Sequence, residues 1–266
     1  ILIVFRSPNR RAIHAKGLKV WLSTDQYTIG DFSEFAGYVN KVVCISPYHA
    51  DYFARAYNIT STIVIDLPVR TQDYKDSSEI QKIRNRLIFT SVPDRGLSHL
   101  RNIWTNIKSR VPDASLVITS DYRLWGAGAP LNEQHRLKWI GEDDVYFIGA
   151  IPREILLGEI LSAEIMPYPC TYEELFCIAV AEAQACGVYP VTTRSGALET
   201  TNMGTIIEED ISLDYTNFAE KFCGEIVYLL NDHEELKRRQ DRVREKATER
   251  FCIENILRQW NEKVFL

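Results

Sequence analysis

The sequence predicts an α/β protein made of parallel sheets and divided into two unequal parts. Short β-branched runs alternate with helical patterns along the chain, which is typical of parallel strands joined by helical crossovers. Its 266 residues exceed the usual size of one domain, and 45% of them are apolar, which is enough for a sound core. We expect a Rossmann-like first part over residues 1–78 and a doubly wound second domain with C-terminal helices over residues 79–266.

The first part contains four strand-like runs, fewer than a complete domain of this type would have. They are ILIVF, LKVWLS, KVVCIS and TIVIDL. Because the chain starts on the first of these runs with Ile instead of Met, we expect upstream sequence to be missing. Ser46 and Pro47 predict a helix over residues 48–57, with Ser46 as its cap and Pro47 in its first turn. The polar stretch between Pro68 and Arg84 is interpreted as a linker.

Five further strand-like runs predict a complete doubly wound half by themselves. They are RLIFTS, ASLVITS, DVYFIGA, AEIMPYP and VYPVTT. Helical spacing over residues 98–111, 153–161 and 176–186 predicts the crossovers, and a polar loop is expected at residues 126–128. Residues 217–230 and 234–251 predict two amphipathic C-terminal helices.

Composition excludes several classes of function. The net charge of −5 argues against broad nucleic-acid binding, because no overall positive field attracts phosphates. No apolar run approaches the roughly 20 residues that span a bilayer, so we expect a cytoplasmic protein, with peripheral membrane contact left open. We predict no metal site, since the cysteines lack C-x-x-C spacing and the histidines lack a second ligand at metal spacing. The Asp143-Asp144 pair is interpreted as a solvated loop pair.

Residues 167–200 carry the clearest functional pattern, with Glu174 before a predicted helix and Glu182 within it. The start of that helix, near residues 176–178, offers unpaired backbone N–H groups and the positive end of a helix dipole to a diphosphate. Eight residues of helix separate the two acids by roughly 12 Å, so they suit an elongated, hydroxyl-rich ligand. The alternative is that Glu174 caps the helix and Glu182 is a solvated charge, which Ala181 and Ala183 on either side of Glu182 make less favourable.

The spacing Glu174-x7-Glu182, the stretch EAQACG, Pro190-Val191 and the stretch GALET together resemble the donor-site signature of the group 1 glycosyltransferases. Residues 89–118 look like the first strand–loop–helix–strand unit of the same family's donor domain. The resemblance covers about residues 85–255 and implies a GT-B fold, with two Rossmann-like domains. It also implies that Glu174 contacts hydroxyls of the transferred sugar, that Glu182 contacts the ribose, and that Arg95 meets the diphosphate.

The resemblance extends the predicted donor site to the residues around these three. Phe176, Cys177 and Ile178 stand at the helix start, and Thr90 and Ser91 stand where the family usually has a second basic residue. Two family glycines after the first glutamate are replaced by Leu175 and Cys177. In the first part, Ser23 or Thr24 replaces a family histidine, and Asp66-Leu67 replaces a family Asn-Gly turn.

The implied activity is retaining transfer of a hexosyl group from a nucleotide-diphosphate sugar to a hydroxyl acceptor, without a metal or a bound cofactor. Glu174 and Arg95 are its expected catalytic residues. Two alternatives stay open. One is a nucleotide-sugar epimerase or phosphorylase of the same fold, and the other is a non-catalytic nucleotide-sugar-binding module or fragment.

Overall fold

The computed structural model describes residues 1–74, 80–125 and 129–266, whose strands form two parallel sheets. The first sheet has the strand order β1-β2-β3-β4, so each strand pairs with the one before it in the chain. Its strands are β1 (Leu2–Phe5), β2 (Lys19–Leu22), β3 (Lys41–Cys44) and β4 (Thr62–Val64), and its helices are α1 (Phe32–Ala36) and α2 (Pro47–Tyr57). All four predicted strands are present, and Ser46 caps α2 by accepting a 3.0 Å hydrogen bond from the backbone N–H of His49.

The second sheet has the order β10-β9-β8-β5-β6-β7, which is the doubly wound arrangement predicted for this part. Its strands are β5 (Arg86–Phe89), β6 (Ser115–Ile118), β7 (Val145–Phe147), β8 (Ile165–Tyr168), β9 (Tyr189–Thr193) and β10 (Thr205–Ile207). The chain reverses its direction of travel across the sheet between β5 and β8, which leaves a crevice at their carboxyl ends. The predicted α/β fold class is thereby confirmed. Strand β10 was not predicted, because its run Thr205–Ile207 is short and the acids at 208–210 follow it directly.

Helices cover both faces of the second sheet. They are α3 (Leu97–Arg110), α4 (Ala129–Leu137), α5 (Arg153–Ser162), α6 (Ile178–Ala185), α7 (Leu198–Thr201), α8 (Tyr215–Asn231) and α9 (His233–Phe251). Helix α6 begins two residues later than predicted. Cys177 has a φ of 65°, in the left-handed region, so the right-handed helix starts only after it.

The last segment of the chain packs against the first sheet. Helix α10 (Ile253–Trp260) continues into a π-helical turn, Asn261–Phe265, and neither was predicted. Ile256 and Val264 pack with buried side chains of β2 and β3, and Lys41 on β3 donates 3.1 and 2.7 Å hydrogen bonds to the carbonyls of Lys263 and Val264. The division at residues 78 and 79 and the predicted loop at 126–128 lie outside the described residues, and the division stays a prediction.

Partly buried contacts connect the end of α9 to the first part. Arg250 makes a bidentate ion pair with Asp66, at 2.7 and 3.0 Å, and donates to the carbonyl of Thr200 at 2.6 Å. The N–H of Val69 donates to the carbonyl of Phe251 at 2.8 Å. Asp66 stands where the family resemblance suggests the Asn of an Asn-Gly turn. Its carboxylate binds Arg250 more strongly than the neutral amide of an Asn would. These contacts fix how the two sheets face each other.

Candidate active site

Both sheets present the carboxyl ends of their strands to one cleft of about 600 Å³. The first part contributes Arg6 and residues 24–27, which follow β1 and β2, while the second contributes the loops after β5 and β8 and the start of α6. A volume of this size is typical of sites that bind small molecules. Seven of the eight predicted site residues, all except Glu182, line this cleft.

Glu174 and Arg95 form an ion pair at the floor of the cleft, with 2.9 Å between Oε1 and Nε. Both side chains are largely buried, at 13% and 12% exposure. The hydroxyl of Tyr168, at the end of β8, donates to the same Oε1 at 2.9 Å. The guanidinium of Arg95 also lies 3.4 Å from the ring centre of Tyr172, as a cation–π contact. Glu174 is thus held from two sides while it faces the cleft.

Two glycines explain why these side chains reach the cleft. Arg95 ends a short 3-10 turn, Pro93–Arg95, and Gly96 after it has a φ of 99°, with a Cβ position only 2.2 Å from the carbonyl oxygen of Pro169. Only glycine fits at that approach. Gly196 pairs with Glu174 as an isolated parallel bridge, and the N–H of Ala197 donates to the Glu174 carbonyl at 2.7 Å. Glu174 therefore sits on a short extended segment and not on α6.

Burial raises the pKa of Glu174 above its ordinary value, and the nearby Arg95 charge and the Tyr168 hydrogen bond act in the opposite direction. Burial also raises the pKa of Tyr168 well above its usual range, so its hydroxyl stays protonated and remains a donor. The same hydroxyl lies 3.2 Å from Oγ of Ser91. Ser91 and Thr90 line the cleft directly after β5, next to the Arg95–Glu174 pair.

The start of α6 opens into the same cleft. Cys177 and Phe176 are buried, whereas the side chain of Ile178 is exposed. The first backbone N–H groups of an α-helix have no acceptor within the helix, so this end offers donors to an anion. Burial raises the pKa of the Cys177 thiol well above its ordinary value, so it is a neutral packing group. Leu175 has no left-handed backbone, so glycine is not required there, and its side chain lines the cleft.

Glu182 lies in the second turn of α6 and is not among the residues that line the cleft. Its carboxylate is bound by the guanidinium of Arg153, at the first residue of α5, with Nη1–Oε2 and Nη2–Oε1 distances of 2.9 and 2.5 Å. Nη2 of Arg153 is also 3.5 Å from Oδ2 of Asp73. Glu182 is 17% exposed, so it is not the freely solvated charge of the alternative interpretation.

Comparison with protein families identifies the family of this chain. Residues 84–232, more than half of the chain, match the family described as "Glycosyl transferases group 1". The chain belongs to the group 1 glycosyltransferases. The resemblance predicted from the sequence is thereby confirmed for the family.

Two curated relatives match shorter stretches of this group 1 chain. An uncharacterized glycosyltransferase, YqgM, of Bacillus subtilis is 28% identical over 137 residues, covering 50% of this chain and 36% of the relative. The D-inositol 3-phosphate glycosyltransferase of Corynebacterium jeikeium is 39% identical over 77 residues, covering 27% of this chain and 18% of the relative. The matched segments thus span about a third and about a fifth of the length of these relatives.

Solved glycosyltransferase structures share the fold. A glycosyltransferase from Rickettsia africae has a TM-score of 0.76 at 16% identity, over 98% of this chain and 76% of that one. Anabaena HepE in complex with UDP and glucose has a TM-score of 0.73 at 15% identity, over 93% and 71% of the two chains. The pneumococcal O-GlcNAc transferase GtfA, in complex with UDP and GlcNAc, has a TM-score of 0.72 at 15% identity, over 99% and 56%. The two facing parallel sheets of this group 1 chain therefore form a GT-B-like fold.

Sequence reasoning missed three site residues of this group 1 chain. Tyr168 could have been found, because it ends a predicted strand at the ligand-binding edge of the sheet. Arg153 and Tyr172 gave no signal, since their contacts with Glu182 and Arg95 depend on the three-dimensional fold. No described helix is long and apolar enough to cross a membrane, and the described residues hold no group of three metal-ligating side chains.

Proposed function

We propose that this chain binds a nucleotide-diphosphate sugar in its cleft and acts in retaining transfer of the sugar to a hydroxyl acceptor. The observation that supports this most strongly is the buried pair of Arg95 and Glu174 beside the open start of α6. The pair supplies a cation for a diphosphate and a carboxylate for sugar hydroxyls, next to the first backbone N–H groups of α6.

Arg95 acts on the leaving group. When the bond between the anomeric carbon and the diphosphate oxygen breaks, negative charge grows on the diphosphate while the sugar gains oxocarbenium character. Arg95 is held by the Tyr172 ring and by Glu174, so its guanidinium is positioned before the donor arrives. A preorganised cation of this kind stabilises a transition state in which charge develops, because it needs little rearrangement.

Glu174 orients the sugar. Its buried carboxylate accepts hydrogen bonds from sugar hydroxyls, and Tyr168 holds one of its oxygens in place. Thr90 and Ser91 add hydroxyl groups where a second cation is usual in the family, so the phosphate is held chiefly by Arg95 and by the first N–H groups of α6. Phe176 and Cys177 set the position of that helix end by packing beneath it.

Glu182 is assigned to the ribose, at the far side of α6. The nucleotide itself is proposed to be a uridine diphosphate, because two structures with this fold, HepE and GtfA, are complexes with UDP. The acceptor is proposed only as a hydroxyl compound.

The direct experiment measures donor binding by calorimetry and turnover with a radiolabelled donor, for the wild type, Arg95→Ala and Arg238→Ala. Arg238 is an exposed charge on α9, 70% accessible, and serves as the control for loss of one positive charge. Removing Arg95 should weaken UDP binding roughly tenfold or more, as expected for a charge-assisted hydrogen bond, whereas Arg238→Ala should not change it.

The outcomes separate the candidate functions. Transfer or slow donor hydrolysis that is lost in Arg95→Ala supports the transferase. Binding without turnover, over a panel of UDP, GDP and ADP sugars, supports the non-catalytic binding module instead. A product sugar of altered configuration still attached to its nucleotide would indicate an epimerase.

A further inference from the structure

Arg153 binds the carboxylate of Glu182, which the proposed function assigns to the ribose. Its guanidinium binds both oxygens of Glu182, in the paired geometry that is the strongest for Arg and a carboxylate. The pair is only partly open to solvent, with exposures of 31% for Arg153 and 17% for Glu182. The guanidinium takes one lone pair of each Glu182 oxygen, so ribose hydroxyls that donate to Glu182 share these oxygens with it and weaken its hydrogen bonds.

A second acceptor for Arg153 lies next to the first. Nη2 is 2.5 Å from Oε1 of Glu182 and 3.5 Å from Oδ2 of Asp73, so a small side-chain shift changes which carboxylate it favours. Asp73 belongs to the 3-10 turn Thr71–Tyr74, which follows β4 on the way to the second sheet, and it also pairs with Arg70 at 3.1 Å. The Asp73 side chain is 17% exposed, so the second carboxylate is also largely shielded from solvent.

We propose that Arg153 is a positioning residue that changes between two carboxylates of the described residues, Glu182 and Asp73. Without nucleotide it holds the Glu182 carboxylate, and when ribose hydroxyls donate to Glu182 it transfers its hydrogen bonds to Asp73. Nucleotide binding thereby strengthens a contact between α5 and the turn that leads from the first sheet. This inference rests on the proposed function, since it requires a nucleotide ribose at Glu182.

The consequence is a ribose-dependent cost that can be measured. In the wild type, the gain from a 2′-hydroxyl on Glu182 is reduced by the partial loss of the Arg153–Glu182 pair. In Arg153→Ala, Glu182 has lost that guanidinium, so the same hydroxyl contributes more. Comparing UDP with 2′-deoxy-UDP isolates this effect, because both nucleotides carry the same charge and the long-range attraction to Arg153 cancels.

The experiment is calorimetric titration of UDP and 2′-deoxy-UDP into the wild type, Arg153→Ala, Asp73→Asn and the control Arg238→Ala. The ratio of the two dissociation constants, deoxy over ribo, should rise by about fivefold in Arg153→Ala, the scale of one net hydrogen bond. Asp73→Asn offers Arg153 a weaker alternative partner, so it should weaken UDP binding and lower the ratio. Arg238→Ala should leave the ratio at the wild-type value.

Three other results would each contradict a different part of this proposal. An unchanged or lower ratio in Arg153→Ala would overturn the inference, since Arg153 would then orient Glu182 for the ribose and not compete with it. An Asp73→Asn variant with wild-type binding would overturn the transfer to Asp73. Failure of UDP, GDP and ADP alike to bind the wild type would instead contradict the proposed function, and the inference with it.

Discussion

Gly196 and the backbone of Glu174 lie in direct contact: a Cβ atom at Gly196 would be 2.4 Å from the carbonyl oxygen of Glu174 and 2.6 Å from its nitrogen. Gly196 also has a φ of 59°, where residues with a side chain are strained. The loop after β9 therefore places the proposed sugar-binding carboxylate through its main chain. This contact explains in physical terms why the GALET stretch begins with a glycine, Gly196.

Substituting Gly196 by Ala should move the Glu174 segment. We expect a loss of stability of about 2–4 kcal/mol, from strain and from the forced shift of backbone, together with a loss of donor turnover. Gly224→Ala is the control, because Gly224 lies within α8 with open space around its Cβ position and should be neutral or stabilising. Denaturant unfolding and donor turnover of both variants test this, and wild-type turnover in Gly196→Ala would contradict it.

Tyr168→Phe should change how activity depends on pH. The variant loses a hydrogen bond that favours the ionised form of Glu174, so the pKa of Glu174, already raised by burial, rises further. If catalysis needs the carboxylate, activity falls as pH decreases through that pKa, and the acidic limb of the kcat profile should move to higher pH by about one unit. Tyr189→Phe, whose hydroxyl contacts Thr205 away from the cleft, should leave the profile in place. An acidic limb shared by the wild type and Tyr168→Phe would argue against this role.

Cys177 is strained at the start of α6, and this can be tested without an activity assay. With a φ of 65° it has a backbone that favours glycine, the residue that the family resemblance suggests at this place. Cys177→Gly and Cys177→Ala both remove the thiol, so they differ in the backbone strain of a Cβ atom at this φ and in the packing of one methyl group. We expect the Gly variant to be more stable than the Ala variant by about 1 kcal/mol in urea unfolding. An Ala variant of equal or greater stability would show that α6 starts with a different backbone.

The sequence predicts the fold better than it predicts the contacts of the site. The nine predicted strands lie in apolar runs of five or more residues that include flanking positions, whereas the short run of β10 ends at three acids and α10 follows α9 after a single break at Cys252. Glu174, Arg95 and the start of α6 lie at strand ends and at a helix end, where local patterns carry information. The pairing of Glu182 with Arg153 joins α6 to α5 through space, so no local pattern contains it.

Protonation of the buried His49 should lower the stability of the protein in acid. It is fully buried at the start of α2, and burial lowers its pKa from 6.5 to about 4. An unfolded chain binds this proton first as pH falls, so the stabilisation present above pH 6.5 is lost progressively down to about pH 4. The full effect is on the order of 3 kcal/mol. His49→Asn, whose Oδ1 can take the place of Nδ1 as the acceptor for the N–H of Ile45, should lack this part of the pH dependence, and an identical dependence in both proteins would contradict it.

In the proposed complex, a nucleotide sugar lies along the start of α6 between Glu174 and Glu182. A structure of the protein with UDP-glucose or UDP-GlcNAc bound tests it most directly. The diphosphate should lie within hydrogen-bond distance of Arg95 and of the backbone N–H groups of Ile178 and Ala179, with the sugar at Glu174 and the ribose at Glu182. A bound nucleotide sugar whose sugar and ribose contact neither of these acids would contradict this placement.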